Sequence, residues 1–151
     1  MRFSITAPVL AMLVSMAGSA FAGLGGAPIA HANNDTHGAR LLTATSVHDG
    51  YRTEQQVLDS GTTVTEYVGT DNLVFAVSWS GPTLPDFEQL LGKHVEAMKQ
   101  QARSAPHAGH SQLALNRPDL VVVSSGHMRA FNGRAWLPAS LPARFAPSDI
   151  R

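Results

Sequence analysis

Leu73-Val74-Phe75-Ala76-Val77-Ser78-Trp79-Ser80, followed at once by Gly81-Pro82, is the stretch on which the fold turns. Leu73, Phe75, Val77 and Trp79 recur at every second residue, with Val74, Ala76, Ser78 and Ser80 between them. Successive strand residues point to opposite faces, so the pattern predicts a strand with one large apolar face. Gly81-Pro82 ends it, because proline cannot donate to a ladder.

Two further strand signals stand just upstream. Residues 62–68 are rich in β-branched side chains and stop at Gly69-Thr70-Asp71-Asn72. Residues 51–58 alternate more loosely and stop at Asp59-Ser60-Gly61. Connections this short pair neighbouring strands antiparallel, as a meander. Order is expected to begin between Arg40 and Tyr51.

Downstream, a helix is predicted from near Leu84. Thr83 has the chemistry of an N-cap, Pro85 suits the first turn, and Asp86 favours the positive end of the helix dipole. Phe87, Leu91, Val95, Met98 and Ala102 recur at helical spacing, flanked by Leu90 and His94, and Gln89, Lys93, Glu96, Gln100 and Arg103 fall opposite. One apolar stripe beside a half-buried sheet predicts a helix lying across that sheet.

Residues 104–111 have loop composition, and 112–115 that of a short strand. Residues 120–124 read as a Val-rich core strand, with Ser125-Gly126 as a tight turn leading to a return strand at 128–131. Asn132-Gly133 predicts a two-residue hairpin turn that folds 134–137 back on 128–131. Pro138, Pro142 and Pro147 suggest a tail running extended over the surface. The principal elements run β-β-β-α-β-β-β: an α+β fold, with one antiparallel sheet and one amphipathic helix packed on one face.

The chain opens with Arg2 and an uncharged apolar run over 5–16, then Gly18-Ser19-Ala20-Phe21-Ala22. The run is too short to span a bilayer, and Ala20 and Ala22 fill the two small-residue positions of a signal-peptidase site. Residues 1–22 therefore read as a cleaved secretory signal, with no stable membrane anchor afterwards. The expected division is signal peptide 1–22, flexible lead-in 23–39 and one α+β domain over 40–151, periplasmic or secreted.

Export frames the composition. The chain has 11 Lys+Arg, 11 Asp+Glu, 7 His and no Cys. Loss of Arg2 with the signal leaves a net charge near −1, which gives no electrostatic reason to expect nucleic acid or anionic lipid as partner. The absence of Cys excludes disulfides, thiol catalysis, thiolate metal sites and lipid attachment at a cysteine.

Leu24-Gly-Gly-Ala-Pro28, Ser60-Gly-Thr-Thr-Val-Thr-Glu-Tyr-Val68 and Val74-Phe-Ala-Val-Ser-Trp-Ser-Gly-Pro-Thr-Leu-Pro-Asp86 resemble an exported bacterial family known as domain of unknown function 2844. So do Pro118-Asp-Leu-Val-Val-Val-Ser-Ser-Gly-His-Met-Arg-Ala-Phe-Asn-Gly-Arg-Ala-Trp-Leu-Pro138 and Asp149-Ile-Arg151. The resemblance implies a secreted protein of unknown activity and carries over no catalytic residues or cofactor. The His107-Ala108-Gly109-His110 stretch lies outside it.

Candidate chemistry is sparse. His107 and His110, with His94 from the helix, offer nitrogen ligands for zinc or copper, but no carboxylate is adjacent in sequence and the loop has the look of a solvated connector. His31 and His37 fall in the lead-in and rank lower. With a turn at Asn132-Gly133, Arg129 would face Trp136 across the hairpin, and His127, Arg129, Arg134 and Trp136 would form a cationic-aromatic patch able to grip an anion. The plainer alternative is that Arg129 simply covers Trp136.

Ser124, Ser125 and His127 lack an evident triad geometry, Ser80 is not in a nucleophile elbow, the acids form no recognisable pair and no phosphate loop precedes a helix. A non-catalytic exported domain binding another envelope protein is the leading expectation. A small hydrolase centred on His127 and a periplasmic metal binder using His94, His107 and His110 are the alternatives.

Overall fold

A computed structural model describes residues 23–29, 44–104 and 112–151. Among the described residues seven strands form one antiparallel sheet: β1 (Ala44–His48), β2 (Tyr51–Val57), β3 (Thr63–Gly69), β4 (Val74–Gly81), β5 (Gln112–Asn116), β6 (Val121–His127) and β7 (Ala130–Trp136). Their order across the sheet is β1-β2-β3-β4-β7-β6-β5. The helical segment, α1 (Phe87–Leu91) and α2 (Val95–Ser104), stands between β4 and β5 in the chain. The fold is α+β.

The meander begins one strand earlier than its periodicity suggests. Asp49-Gly50 turns β1 into β2, with His48 opposite Tyr51 and Gly50 at φ 85°. That conformation costs glycine little and is common in two-residue hairpins. β1 is exposed along its whole length, so burial left no apolar pattern in it.

β4 pairs β3 from Thr63 opposite Ser80 to Tyr67 opposite Ala76, and there the register slips so that Val68 meets Val74. The slip is a β-bulge that leaves Phe75 as the extra residue. Strict alternation puts Phe75 with Val77 and Trp79, but the bulge turns it away, and it packs beside Tyr67 and Ala76. Val74 joins Val77 and Trp79 instead, and Leu73 lies exposed outside the strand.

The helix begins later than predicted and is broken once. Asp86 is the N-cap, its carboxylate accepting the Glu88 N–H at 2.8 Å. Thr83 is engaged elsewhere, its carbonyl and hydroxyl both contacting the Thr62 hydroxyl. Gly92, at φ 52°, ends α1, and a 3-10 turn over Gly92–His94 leads into α2. The stripe survives this break as far as Met98, whereas Ala102 is exposed. Leu90, Leu91 and Met98 are buried, with Phe87, Val95 and Ala97 packed against them, while Gln89, Lys93, Glu96, Gln100 and Arg103 are exposed.

Both faces of the sheet carry a core. On the helix side, Val64, Val68, Val77, Trp79, Val122 and Ala135 meet Leu90, Leu91 and Met98. On the other, Tyr67, Phe75 and Ala76 meet Phe145 and Ile150 from the C-terminal segment. That segment was expected to run extended over the surface. It folds into two 3-10 turns, Pro138–Ser140 and Pro147–Asp149, and buries Phe145 and Ile150.

Residues 23–29 also depart from the expected flexible lead-in. The Leu24 N–H donates to Leu90 O, the Gly25 N–H to Val74 O and the Val74 N–H to Gly26 O. Leu24 and Ile29 are buried in the helix-side core. A short Gly-rich run reads as flexible by composition, but here glycine lets the backbone lie against the end of α1 and the start of β4. The remainder of the lead-in, 30–39, lies outside the described residues, as does the signal segment with Ala20 and Ala22. Among the described residues no helix is long and apolar enough to cross a membrane.

Candidate functional site

The predicted cationic-aromatic patch depends on where the β6–β7 hairpin turns. His127 pairs with Ala130, so the turn residues are Met128 and Arg129, and Asn132-Gly133 lies inside β7. Gly133 is needed there for a different reason. A Cβ on it would collide with the Trp79 indole and come within 2.8 Å of Val123 O. Close packing against Trp79, rather than a positive φ, places glycine at this position. Gly126, read as a turn residue, lies within β6, and a Cβ there would stand 2.9 Å from Phe131 Cα.

This shift of the turn separates the four residues. Trp136 stands opposite Ala76 and Val121, not Arg129. Arg129 occupies the turn at φ 66° and is exposed, as is His127 beside it. The guanidinium over Trp136 belongs to Arg134, 5.8 Å from the ring centroid on the same strand. Its Nη1 donates to Pro147 O at 3.2 Å and Ile150 O at 3.4 Å. Arg134 and Trp136 therefore sit under the C-terminal segment, while His127 and Arg129 form the hairpin tip. Arg134 is committed to main-chain carbonyls of its own chain.

The same face shows what the polar residues of the sheet do. The Tyr67 hydroxyl accepts the Arg151 N–H at 2.9 Å and contacts Arg151 O at 3.2 Å, and the Ser78 hydroxyl also donates to Arg151 O. Tyr51, Tyr67, Phe75 and Phe145 form an aromatic cluster, with Phe145 edge-on to the other three at 4.9–5.6 Å. Burial, with Asp149 and Tyr67 adding to it, holds the Tyr51 hydroxyl above its ordinary pKa.

Of the metal-site candidates, only His94 falls in the described region, and His107, His110, His31 and His37 lie outside it. The His94 Nε2 is buried and has no hydrogen-bond partner among the described residues. A Cβ on Gly25 would touch this nitrogen at 3.4 Å, which places the imidazole against the N-terminal segment. Burial, helped by Lys93, pulls the His94 pKa below the usual histidine value, with Asp119 acting the other way. Among the described residues no group of three or more His, Cys, Asp or Glu is placed to hold a metal ion.

The acids form no recognisable pair in the sequence, yet Glu54 and Glu66 stand directly opposite each other across β2 and β3. Both are buried, Glu66 almost completely. Glu66 accepts the Ile29 N–H at 3.0 Å, and Glu54 accepts from Arg52 Nε at 2.8 Å. The sequence signal for this is the place of Glu66 between Val64 and Val68, at an inward position of an alternating strand. The bond from Ile29 to Glu66 ties 23–29 to the sheet.

No curated protein and no solved structure matches the chain. A family model described as "Protein of unknown function (DUF2844)" matches residues 20–150, and the chain belongs to that family.

Proposed function

We propose that this chain is an exported envelope domain that binds another protein and catalyses no reaction. Export rests on the sequence of residues 1–22, with a short apolar run and Ala20 and Ala22 at a processing site. The binding half rests on one structural feature, β1, the outermost strand of the sheet among the described residues. β1 pairs with β2 at the end of the sheet, all five of its residues are exposed and Val47 is 82% exposed. It carries no Lys, Asp, Glu or Pro, the residues by which edge strands commonly discourage pairing. An extended segment of an envelope protein would add to it by main-chain hydrogen bonds.

This reading is preferred to a hydrolase centred on His127, because the Ser125 hydroxyl contacts Asn132 Oδ1 and the tip beside His127 is Met128 and Arg129. A photo-crosslinker at Val47 of the exported full chain tests it. An adduct of discrete mass should form through Val47, not through Met128, and Ser46→Lys should abolish it. Absence of any adduct, or one indifferent to Ser46→Lys, sinks the proposal. Calorimetry with zinc and copper tests the metal alternative: micromolar binding lost in His94→Gln would favour it.

A further inference from the structure

We infer that His94 is an acid-operated latch on residues 23–29: proton uptake at its buried ring nitrogen releases this segment from α1 and β4 while the sheet stays folded. The latch shares no residue with β1 and stands whether or not β1 binds a partner.

His94 closes the 3-10 turn that follows the break at Gly92. A Cβ on Gly25 would stand 3.4 Å from His94 Nε2 and 3.4 Å from Leu137 Cδ1, so ring, segment and an apolar methyl meet at one point. Nε2 is buried and has no hydrogen-bond partner among the described residues. A neutral imidazole tolerates this, because one of its nitrogens is a bare acceptor and only one bond goes unmade. An imidazolium carries a hydrogen on both nitrogens, so proton uptake sets an unpaired N–H and a positive charge against Gly25. Neither segment 23–29 nor Leu137 has an ionisable side chain to answer that charge. Two charged groups among the described residues act on the ring. Lys93, beside it in the turn, has the same sign as the imidazolium, and Asp119, from the β5–β6 connection, is already bound by Arg117 Nε at 3.0 Å. Desolvation and Lys93 outweigh Asp119, and the docked ring holds its proton less firmly than a ring in water.

The segment is the part that yields. It is held by the Leu24 N–H on Leu90 O, the Gly25 N–H on Val74 O, the Val74 N–H on Gly26 O and the Ile29 N–H on Glu66, and by burial of Leu24 and Ile29. A strand inside the sheet is bonded along both sides, whereas a short segment held at a few points opens at lower cost. Once released, the ring regains its ordinary pKa of about 6.5, above that of the docked ring. Acid therefore favours release, by at most about tenfold between pH 7.5 and 5.5. Release takes Leu24 and Ile29 out of the helix-side core and frees the main chain of Val74 at the start of β4.

Amide hydrogen exchange of the full chain, in EDTA at pH 7.5 and 5.5, tests the latch. The amides of Leu24, Gly25 and Val74 should exchange faster than that of Val122 in β6 and ignore low urea, as a local opening does. Their protection factors should fall about threefold at pH 5.5 in the native chain. His94→Gln should abolish that fall; it keeps Glu66, so a contribution from that carboxylate would persist in the variant. Asp119→Asn, which removes the opposite charge, should deepen the fall. No fall in the native chain, an equal fall in His94→Gln, or three amides that share the protection and urea dependence of Val122 overturns the latch. Should His94→Gln fail to fold, Asp119→Asn decides, and a fall no deeper than the native one overturns it.

Discussion

The two faces of the sheet are covered in different ways. On one side lies a helical segment whose backbone largely satisfies itself, so the sheet needs to offer it only apolar surface: Val64, Val77, Trp79, Val122 and Ala135. On the other lies a segment of short turns without a ladder of its own. Its internal main-chain bonds are few, such as Phe145 N–H to Pro142 O and Asp149 N–H to Ala146 O. The sheet supplies the rest through Tyr67, Ser78 and Arg134, which bind the main chain of Pro147, Ile150 and Arg151. An irregular cover must be held by side chains, because its backbone groups need partners once water is excluded. Tyr67, Ser78 and Arg134 are the fasteners of a second core.

The severest way to break this comparison is to remove the anchor of the irregular cover. Phe145→Ala should cost about 3–5 kcal/mol, as a buried aromatic truncation does, and hydrogen exchange should rise first in 138–151 and β3. A loss below about 1 kcal/mol by urea unfolding would mean that the C-terminal segment is not a true core layer.

Next is the packing of the helix side. Gly133→Ala should cost about 1–3 kcal/mol through overlap with Trp79. Arg129→Gly should be neutral or stabilising by up to about 1 kcal/mol, since Arg129 holds the positive φ of the true turn. The opposite ranking in thermal unfolding would restore the turn to Asn132-Gly133.

Arg134→Ala should cost about 1–2 kcal/mol, a half-buried cation removed from two carbonyls, whereas Arg129→Ala should change stability by less than about 0.5 kcal/mol. Equal effects of the two would argue against Arg134 as a fastener.

The smallest effect is a pH dependence on the helix side. His94 has a folded pKa below its unfolded value, so both states are neutral at high pH and the residue contributes no slope there. As pH falls below the unfolded value of about 6.5, the unfolded chain takes up the proton first and stability declines. Thermal unfolding from pH 7.5 to 5 should show a shallower decline in His94→Gln than in the native chain. Identical slopes would remove His94 from the account.

Much of the fold was legible from local pattern. The strands at 51–58, 62–68 and 73–80, the apolar stripe from Phe87 to Met98 and the α+β class all followed from periodicity and turn residues. β1 was missed although Asp49-Gly50 announced its hairpin, because an exposed strand has no burial to imprint an apolar pattern. Of the candidate patch, Arg134 and Trp136 do meet, but with the C-terminal segment over them. His127 and Arg129 stand apart at the tip.

The sequence by itself determined the strands and the helix that carry an apolar pattern and most of the side chains that seek burial, since those preferences are set by residues a few positions apart. Tertiary structure alone decided the bulge that turns Phe75 over, the place of β7 between β4 and β6 and the use of Gly133 as clearance for Trp79. It also decided that Glu66 binds Ile29 and that Gly23 is buried against α1. Each of these depends on atoms brought together from distant parts of the chain, and only steric fit and hydrogen-bond satisfaction in the folded core can choose among the arrangements that local pattern allows.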